Sequence, residues 1–399
     1  LPVTLTTNME DPVLYVLNSK RGDTKVLQYE PAEFDRFSIA DAVDGSVKQL
    51  FYFTKGTAKG QVYVHPYAAG EQVLASDDVT NGAAKVFVKA KDDEKAMQWT
   101  FEDESIQNST WYSFKAVGHS VYFSNFGGVN SNMGFYGSKD DGSRFTITEA
   151  EAIDNNSSAY HSLKVYYDEA VKDVTSGNPG SYCGDVDAYN DAREAASEVL
   201  SNNSSDYDAC LEAYRRLFAA SDALEMIMPV DGEYYVIRSA HDGYANDALV
   251  YVDPDDSKMY WGSKETSDAT AVWTISPNAD GTYRICNLHT GTSIKGVAES
   301  LNETAGNVTI EVLTNNGQVG FKSDGMLHAA SGGTIVAYTT KANGASAWRI
   351  EKVTEDELKN VRFALTIGEH RHASLYLNYA TKIPAGVKVF VAHTPDGDT

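Results

Sequence analysis

Hydrophobic and polar residues along this chain follow two rhythms. From Pro12 to about Ala152 short runs alternate, as in Val13-Leu14-Tyr15-Val16-Leu17, Gln61-Val62-Tyr63-Val64-His65 and Lys85-Val86-Phe87-Val88. A period of two indicates strands. Turn sequences such as Asn81-Gly82 and Asp140-Asp141-Gly142-Ser143 separate them. Between about Asn156 and Met228 the period lengthens to that of a helix. Tyr160, Leu163, Tyr167, Ala170 and Val171 mark one apolar stripe, and Tyr189, Ala192, Ala196, Val199 and Leu200 a second. Leu211, Tyr214, Leu217, Phe218, Ser221 and Leu224 mark a third. Ser205-Asp206-Tyr207-Asp208 has the form of a capping box opening that third helix, and Asn178-Pro179-Gly180 and Pro229 punctuate the ends. Three such helices close a small bundle, a rigid spacer.

From Gly232 to about Val353 the alternation of strands returns. Beyond it Phe363–Ile367, Ala373–Leu377 and Val387–Val391 read as three more strands, too few for a complete sandwich and so an opened domain or a small cap. Within both strand-rich regions a short signature recurs: a small or apolar residue, a spacer, an aromatic, a spacer, then usually another apolar residue. Its aromatics are Phe51, Trp99 and Phe145 before the helices and Trp273, Phe321 and Trp348 after them. A period of this size repeated in threes means a few strands per unit, each unit unable to bury its own apolar face. The periodic aromatics are therefore expected in the interior. The chain divides at 1–152, 153–229, 230–354 and 355–399: two three-unit β domains, a helical spacer between them, and a partial C-terminal β segment.

At 399 residues the chain is long enough for two to four domains. Its net charge of −23 repels nucleic acid and anionic lipid, and the sequence shows no basic cluster. No run of about 18 apolar residues exists to span a membrane. The 24 Tyr, 31 Gly and plentiful Asn, Ser and Thr suit short strands and turns presenting an amphipathic surface, and an extracellular setting. Three cysteines exclude a disulfide framework; Cys183 and Cys210 both lie in the helical middle and could pair, but buried free thiols are the simpler expectation. The ends, Leu1-Pro2-Val3 and Asp396-Gly397-Asp398-Thr399, read as those of a piece of a longer secreted protein.

Three units of this length, each closing on an aromatic in a small-x-Trp-x-Ile strand, resemble the β-trefoil of the ricin-B lectin type. The Gln-x-Trp signature of that family survives only as Gln49-Leu50-Phe51, which departs from the galactose-binding pattern. With the helices between and the phrase Ala373-Ser374-Leu375-Tyr376-Leu377-Asn378-Tyr379-Ala380 after, the chain is similar to the accessory region of large secreted glycan-degrading proteins of gut bacteria. The resemblance implies a mainly all-β chain with a helical insert, made of two β-trefoils around a three-helix bundle. It further implies a non-catalytic, secreted or cell-surface module that holds a glycan near a catalytic domain of the same polypeptide, without cofactor. A trefoil that presents its loops to a protease or receptor, and a fragment of a glycoside hydrolase, are the alternatives.

Sugar binding needs a flat aromatic face against the C–H side of a pyranose and a carboxylate or amide for its hydroxyls. Two places offer this. In the second β region Asp242, Tyr244 and Asn246 precede Tyr260-Trp261, with Asp324 and His328 beginning the third unit. In the first, Tyr122, Asn125 and Phe126 lie together, with Tyr63 and Tyr67 one unit before. Tyr260 and Trp261 break the repeat period and lead the set, although aromatics on a β surface often serve only cross-strand packing. A catalytic reading finds no acid pair, nucleophile or phosphate loop. Asp92-Asp93-Glu94 and Asp253-Pro254-Asp255-Asp256 are read as solvated turns, the second lacking the Gly and distal Glu of a calcium loop. His370 and His372 share a strand face but lack further ligands, so no metal is expected.

Overall fold

The computed structural model describes residues 1–22, 24–83, 85–125, 132–151, 153–294, 301–302, 307–338, 344–361, 365–367 and 371–373. The protein is mainly β, with four α-helices among these residues. It forms two compact units, residues 1–228 with 312–319, and residues 229–311 with 320–399.

In the first unit twelve strands precede the helices: β1 (Tyr15–Ser19), β2 (Lys25–Glu30), β3 (Arg36–Asp41), β4 (Phe51–Lys55), β5 (Val62–Pro66), β6 (Val73–Ala75), β7 (Phe87–Lys89), β8 (Trp99–Ile106), β9 (Ser109–Ala116), β10 (Tyr122–Ser124), β11 (Gly134–Tyr136) and β12 (Phe145–Glu149). Six of them close a ring, β1–β4–β5–β8–β9–β12 and back to β1, all antiparallel. The other six pair as three hairpins, β2–β3, β6–β7 and β10–β11. Two ring strands flanking one hairpin make a unit, and three units make the domain, which is the three-unit plan that the repeat predicts. Closing the ring leaves it no unpaired edge. Phe51, Trp99 and Phe145 lie completely buried inside, within a continuous aromatic cluster that includes Phe37, Phe53, Phe114, Phe123 and Phe135.

Three helices follow, with a short strand pair beside them: α1 (Ser158–Glu169), β13 (Tyr182–Cys183), α2 (Val186–Asn202), α3 (Tyr207–Asp222) and β14 (Glu225–Met226). Each begins on a side-chain cap: Ser157 accepts from Tyr160 N–H, Asp185 from Ala188 N–H and Asp206 from Ala209 N–H. The third cap is Asp206, one residue later than the capping-box reading placed it. The inward face of α1 is also turned from the expected stripe: Ala159, Ser162, Leu163 and Tyr166 are buried, while Tyr160 and Tyr167 are half-buried. Tyr167 lies on the rim because the Arg193 guanidinium covers its ring at 4.4 Å. The helices share one hydrophobic core with β1–β12, in which Tyr166, Tyr189, Tyr214 and Phe218 are buried. Tyr214 donates its hydroxyl to Ala69 O at 2.8 Å, and Ser162 its hydroxyl to Tyr67 O at 3.1 Å.

The second unit repeats the ring with β15 (Tyr234–Ser239), β16 (Leu249–Val252), β17 (Met259–Gly262), β18 (Val272–Pro277), β19 (Tyr283–Asn287), β20 (Ser293–Ile294), β21 (Leu301–Asn302), β22 (Thr309–Val312), β23 (Val319–Lys322), β24 (Met326–Ala329), β25 (Ile335–Tyr338) and β26 (Trp348–Lys352). β15, β18, β19, β22, β23 and β26 pair around the circle, the β19–β22 step through Tyr283 and Val308. β16–β17, β20–β21 and β24–β25 are the hairpins. Trp273, Phe321 and Trp348 are buried. Of the C-terminal segment, Leu365–Ile367 and Arg371–Ala373 pair as a short hairpin; the expected strand at 387–391, His370 and most of the 373–380 phrase lie outside the described residues.

All three cysteines are free thiols. Cys183 is exposed and Cys210 buried, so the two do not form the bridge that a shared place in the helical region allowed, and burial describes Cys210 alone.

Candidate functional site

Neighbouring side chains of a strand fall on opposite faces, so Tyr260 and Trp261, contiguous in β17, part company. Tyr260 stacks on Tyr251 across the hairpin, centroids 5.9 Å apart, and donates its hydroxyl to Asp256 Oδ2 at 2.6 Å. That bond lowers the Asp256 carboxyl pKa and raises that of the Tyr260 phenol. The acidic run is thus occupied in shaping its own turn: Asp253 Oδ1 accepts from Asp255 N–H and Asp256 Oδ1 from Lys258 N–H.

Trp261 turns the other way, toward the β24–β25 hairpin. Its indole Nε1–H donates to Ala330 O at 2.7 Å, and its backbone N–H to Gly333 O. Tyr244 comes to the same place from the loop between β15 and β16 and donates its hydroxyl to Ala329 O at 2.7 Å. Two consecutive carbonyls therefore anchor two aromatic rings, whose centroids lie 5.8 Å apart with planes at 43°. Polar tips are satisfied; Tyr244 is 51% exposed and Trp261 half-buried.

The loop that lifts Tyr244 is built locally. Gly243 donates its N–H to His241 Nδ1 at 2.5 Å, Asn246 N–H bonds to Gly243 O, and Asp247 takes a left-handed φ of 56°. A Cβ on Gly243 would meet His241 Cε1 at 2.3 Å, so a larger residue here would displace the His241 ring. Ala245 is buried beneath, and the His241 ring flanks Tyr244 at 4.6 Å. Asp242 is fully exposed, its carboxylate 3.8 Å from His241 Nδ1.

His328, on β24, stacks on Tyr338 at 4.2 Å and 16°, and its Nδ1 bonds Ser346 Oγ at 2.8 Å. Burial, and then the positive field of His241, hold its imidazole below the ordinary pKa. Asp242, Tyr244, Trp261 and His328 thus come together around the end of β24. Asn246 is exposed and closes the loop turn, and Asp324 is exposed in the β23–β24 turn, accepting from Ser323 Oγ. Sequence reasoning missed His241 and Tyr338. The signal for His241 was its place in His241-Asp242-Gly243, where an acceptor two residues before glycine favours a turn; nothing local marked Tyr338.

The first-unit set does not assemble as expected. Tyr122, on β10, donates its hydroxyl to Glu102 Oε2 at 3.0 Å. Asn125 is completely buried, its backbone N–H bonded to Gly142 O. Phe126 lies outside the described residues. Tyr63 is buried under Lys91, and Tyr67 is buried beside His161.

No family model matches the chain, and no curated protein matches it. Among solved structures the chain is similar, over 38% of its own length, to the whole of the Rhizoctonia solani agglutinin at 13% identity and a TM-score of 0.29. It is similar over 37% to the whole of a protein solved as the BEL beta-trefoil, at 16% identity and a TM-score of 0.28. Over 71% it is similar to 95% of a Polyporus squamosus lectin solved with a human-type influenza-binding epitope, at 9% identity and a TM-score of 0.30.

Proposed function

We propose that this chain is a non-catalytic carbohydrate-binding region, two β-trefoils with a helical insert, and that the Tyr244–Trp261 platform of the second unit is its sugar site. The observation that supports this is the pair of tilted rings, one exposed and one half-buried, fixed through their polar tips to Ala329 O and Ala330 O. The rings take the C–H face of a pyranose, and the exposed Asp242 carboxylate, with the imidazoles of His241 and His328 close by, exchanges hydrogen bonds with its hydroxyls. A secreted or cell-surface setting, and a catalytic domain elsewhere in the same polypeptide that this region serves, belong to the same proposal.

Titration of the intact chain against a panel of monosaccharides and short oligosaccharides by calorimetry tests it. Binding at millimolar level or tighter, the weak end for a shallow site, is expected. Trp261→Ala should weaken it at least tenfold while Tyr260→Phe leaves it unchanged. Sugar binding indifferent to Trp261→Ala would reject the platform.

A further inference from the structure

Five tryptophans occur in the chain; three are interior, Trp261 belongs to the platform, and the fifth, Trp111, has no part in either. It lies on β9 directly opposite Glu104 of β8, in the same register that sets Ser113 opposite Glu102 and Lys115 opposite Thr100. Residues two apart share a face, so Trp111, Glu104, Glu102 and Lys115 stand on one surface of the first unit, which Lys115 extends to its partner Tyr122 on β10.

That surface carries one chemical theme twice. At one end, Arg144 Nε–H donates to Glu104 Oε2 at 2.9 Å and Arg144 Nη1–H to Asp141 Oδ1 at 3.2 Å. Lys20 pairs with Asp141 at 2.7 Å and stands 5.9 Å from the centre of the Trp111 ring. At the other end, Lys115 and Lys139 each reach Glu102 at 3.2 Å, and Tyr122 donates its hydroxyl to the same carboxylate, with Lys115 Nζ 5.9 Å from the Tyr122 ring. Trp111 is half-buried, and no described group accepts its indole N–H. Each end is therefore an aromatic ring beside a carboxylate that is already matched by cations. From Trp111 to Lys115 is four residues of strand, roughly 13 Å at about 3.3 Å per residue.

We infer that this surface is a second, separate binding face for a linear oligosaccharide of neutral sugars, longer than one ring. One pyranose lies against Trp111 and another against Tyr122. Sugar hydroxyls both donate and accept, so a vicinal pair bridges a carboxylate and its cation without unpairing either. An uncharged ligand fits because Glu102, Glu104 and Asp141 are already balanced by Lys20, Lys115, Lys139 and Arg144. The face stands on its own residues and does not depend on the Tyr244–Trp261 platform.

Calorimetry on the intact chain carrying Trp261→Ala, with cellotetraose, xylotetraose and maltotetraose against glucose and xylose, separates the two sites. The expected result is that at least one tetrasaccharide still binds, at least tenfold more tightly than its monosaccharide, and that adding Trp111→Ala or Tyr122→Ala weakens it at least tenfold. Trp111→Tyr, which keeps a flat ring, should retain binding within about threefold, showing that loss in the alanine variant is not misfolding. Tetrasaccharide binding in the Trp261→Ala chain that is unchanged by Trp111→Ala, or no tetrasaccharide binding in that chain at all, overturns the inference, whatever the outcome at Trp261 in the parent chain.

Discussion

Buried indoles of the repeat differ in what their nitrogen does. Trp273 Nε1–H donates to Val250 O at 3.0 Å and Trp348 Nε1–H to Leu327 O at 2.9 Å, each tying a ring strand to the hairpin strand about twenty residues before it. Trp99 occupies the matching place in the first unit, yet no described group accepts its buried Nε1–H. Removing a made bond strands a carbonyl, whereas removing an unmade one strands nothing. Trp273→Phe should therefore cost about 1 kcal/mol more than Trp99→Phe in urea unfolding, ring volumes being equally reduced; equal losses would contradict this. Asp35 offers a test with pH. It accepts the Tyr29 hydroxyl at 2.5 Å among Lys172, Asp222 and Lys89, and burial raises its pKa from 3.8 to about 6, against the opposing pull of the Tyr29 bond and Lys172. Between these values the folded chain holds a proton that the unfolded chain has lost, so this group's contribution falls as pH rises from about 4 to 6. Its φ of 55° is one that asparagine tolerates, and an amide oxygen still accepts from Tyr29. Asp35→Asn should then be more stable than the parent at pH 7 by about 1–2 kcal/mol, allowing for partial solvent screening. That advantage should vanish by pH 4; a gain independent of pH would show that the charge is not the cause.

At the scale of elements, the β16–β17 hairpin decides which residue can serve a ligand. Its register sets Tyr260 opposite Tyr251 and Trp261 opposite Val250, so one aromatic of the doublet stiffens the hairpin and the other leaves it. Tyr260→Phe should lower the urea midpoint slightly through the lost Asp256 bond, with sugar affinity unchanged. A loss of affinity instead would mean that both faces take part. The sequence showed that this doublet breaks the repeat, and the six periodic aromatics showed their own burial, because spacing along the chain survives folding. It did not show which of two adjacent residues faces outward, since parity depends on where a strand begins. Nor did it show Tyr244 beside Trp261: their meeting point is Ala329 and Ala330, more than sixty residues further on. The burial of Asn125 was hidden for a like reason. A polar residue between aromatics reads as surface until the backbone of Gly142 is found against it. On α1 the error was one of phase: Tyr160 and Tyr167 are apolar enough to mark a stripe, but their hydroxyl-bearing rings suit a rim better than an interior.

For the molecule as a whole, the question is whether the helices are a spacer in their own right or part of the first β ring. A spacer would keep its interior to itself. Here Tyr214 of α3 buries its ring against the turn after β5, bonding Ala69 O, and Gly70 makes room for it. Gly70 has a φ of 58° and a ψ of −127°, and a Cβ there would stand 2.8 Å from Tyr214 Cε1, so Gly70→Ala is opposed both by backbone strain and by the buried ring. Salt bridges join the same partners at the surface, Arg215 with Glu71, Lys48 with Glu169, and Lys89 with Asp222, but exposed pairs of this kind contribute little. Sharing one core, α1–α3 and β1–β12 lie in one compact unit and should open as one body. Gly70→Ala should destabilise that body by about 2 kcal/mol or more. Hydrogen exchange resolved by peptide should then show residues 158–169 and 207–222 losing protection together with 51–55 and 62–66, while 234–239 and 272–277 keep theirs. If only the helical peptides open, the helices are an independent bundle resting on the ring; if every peptide opens alike, the two units fold as one.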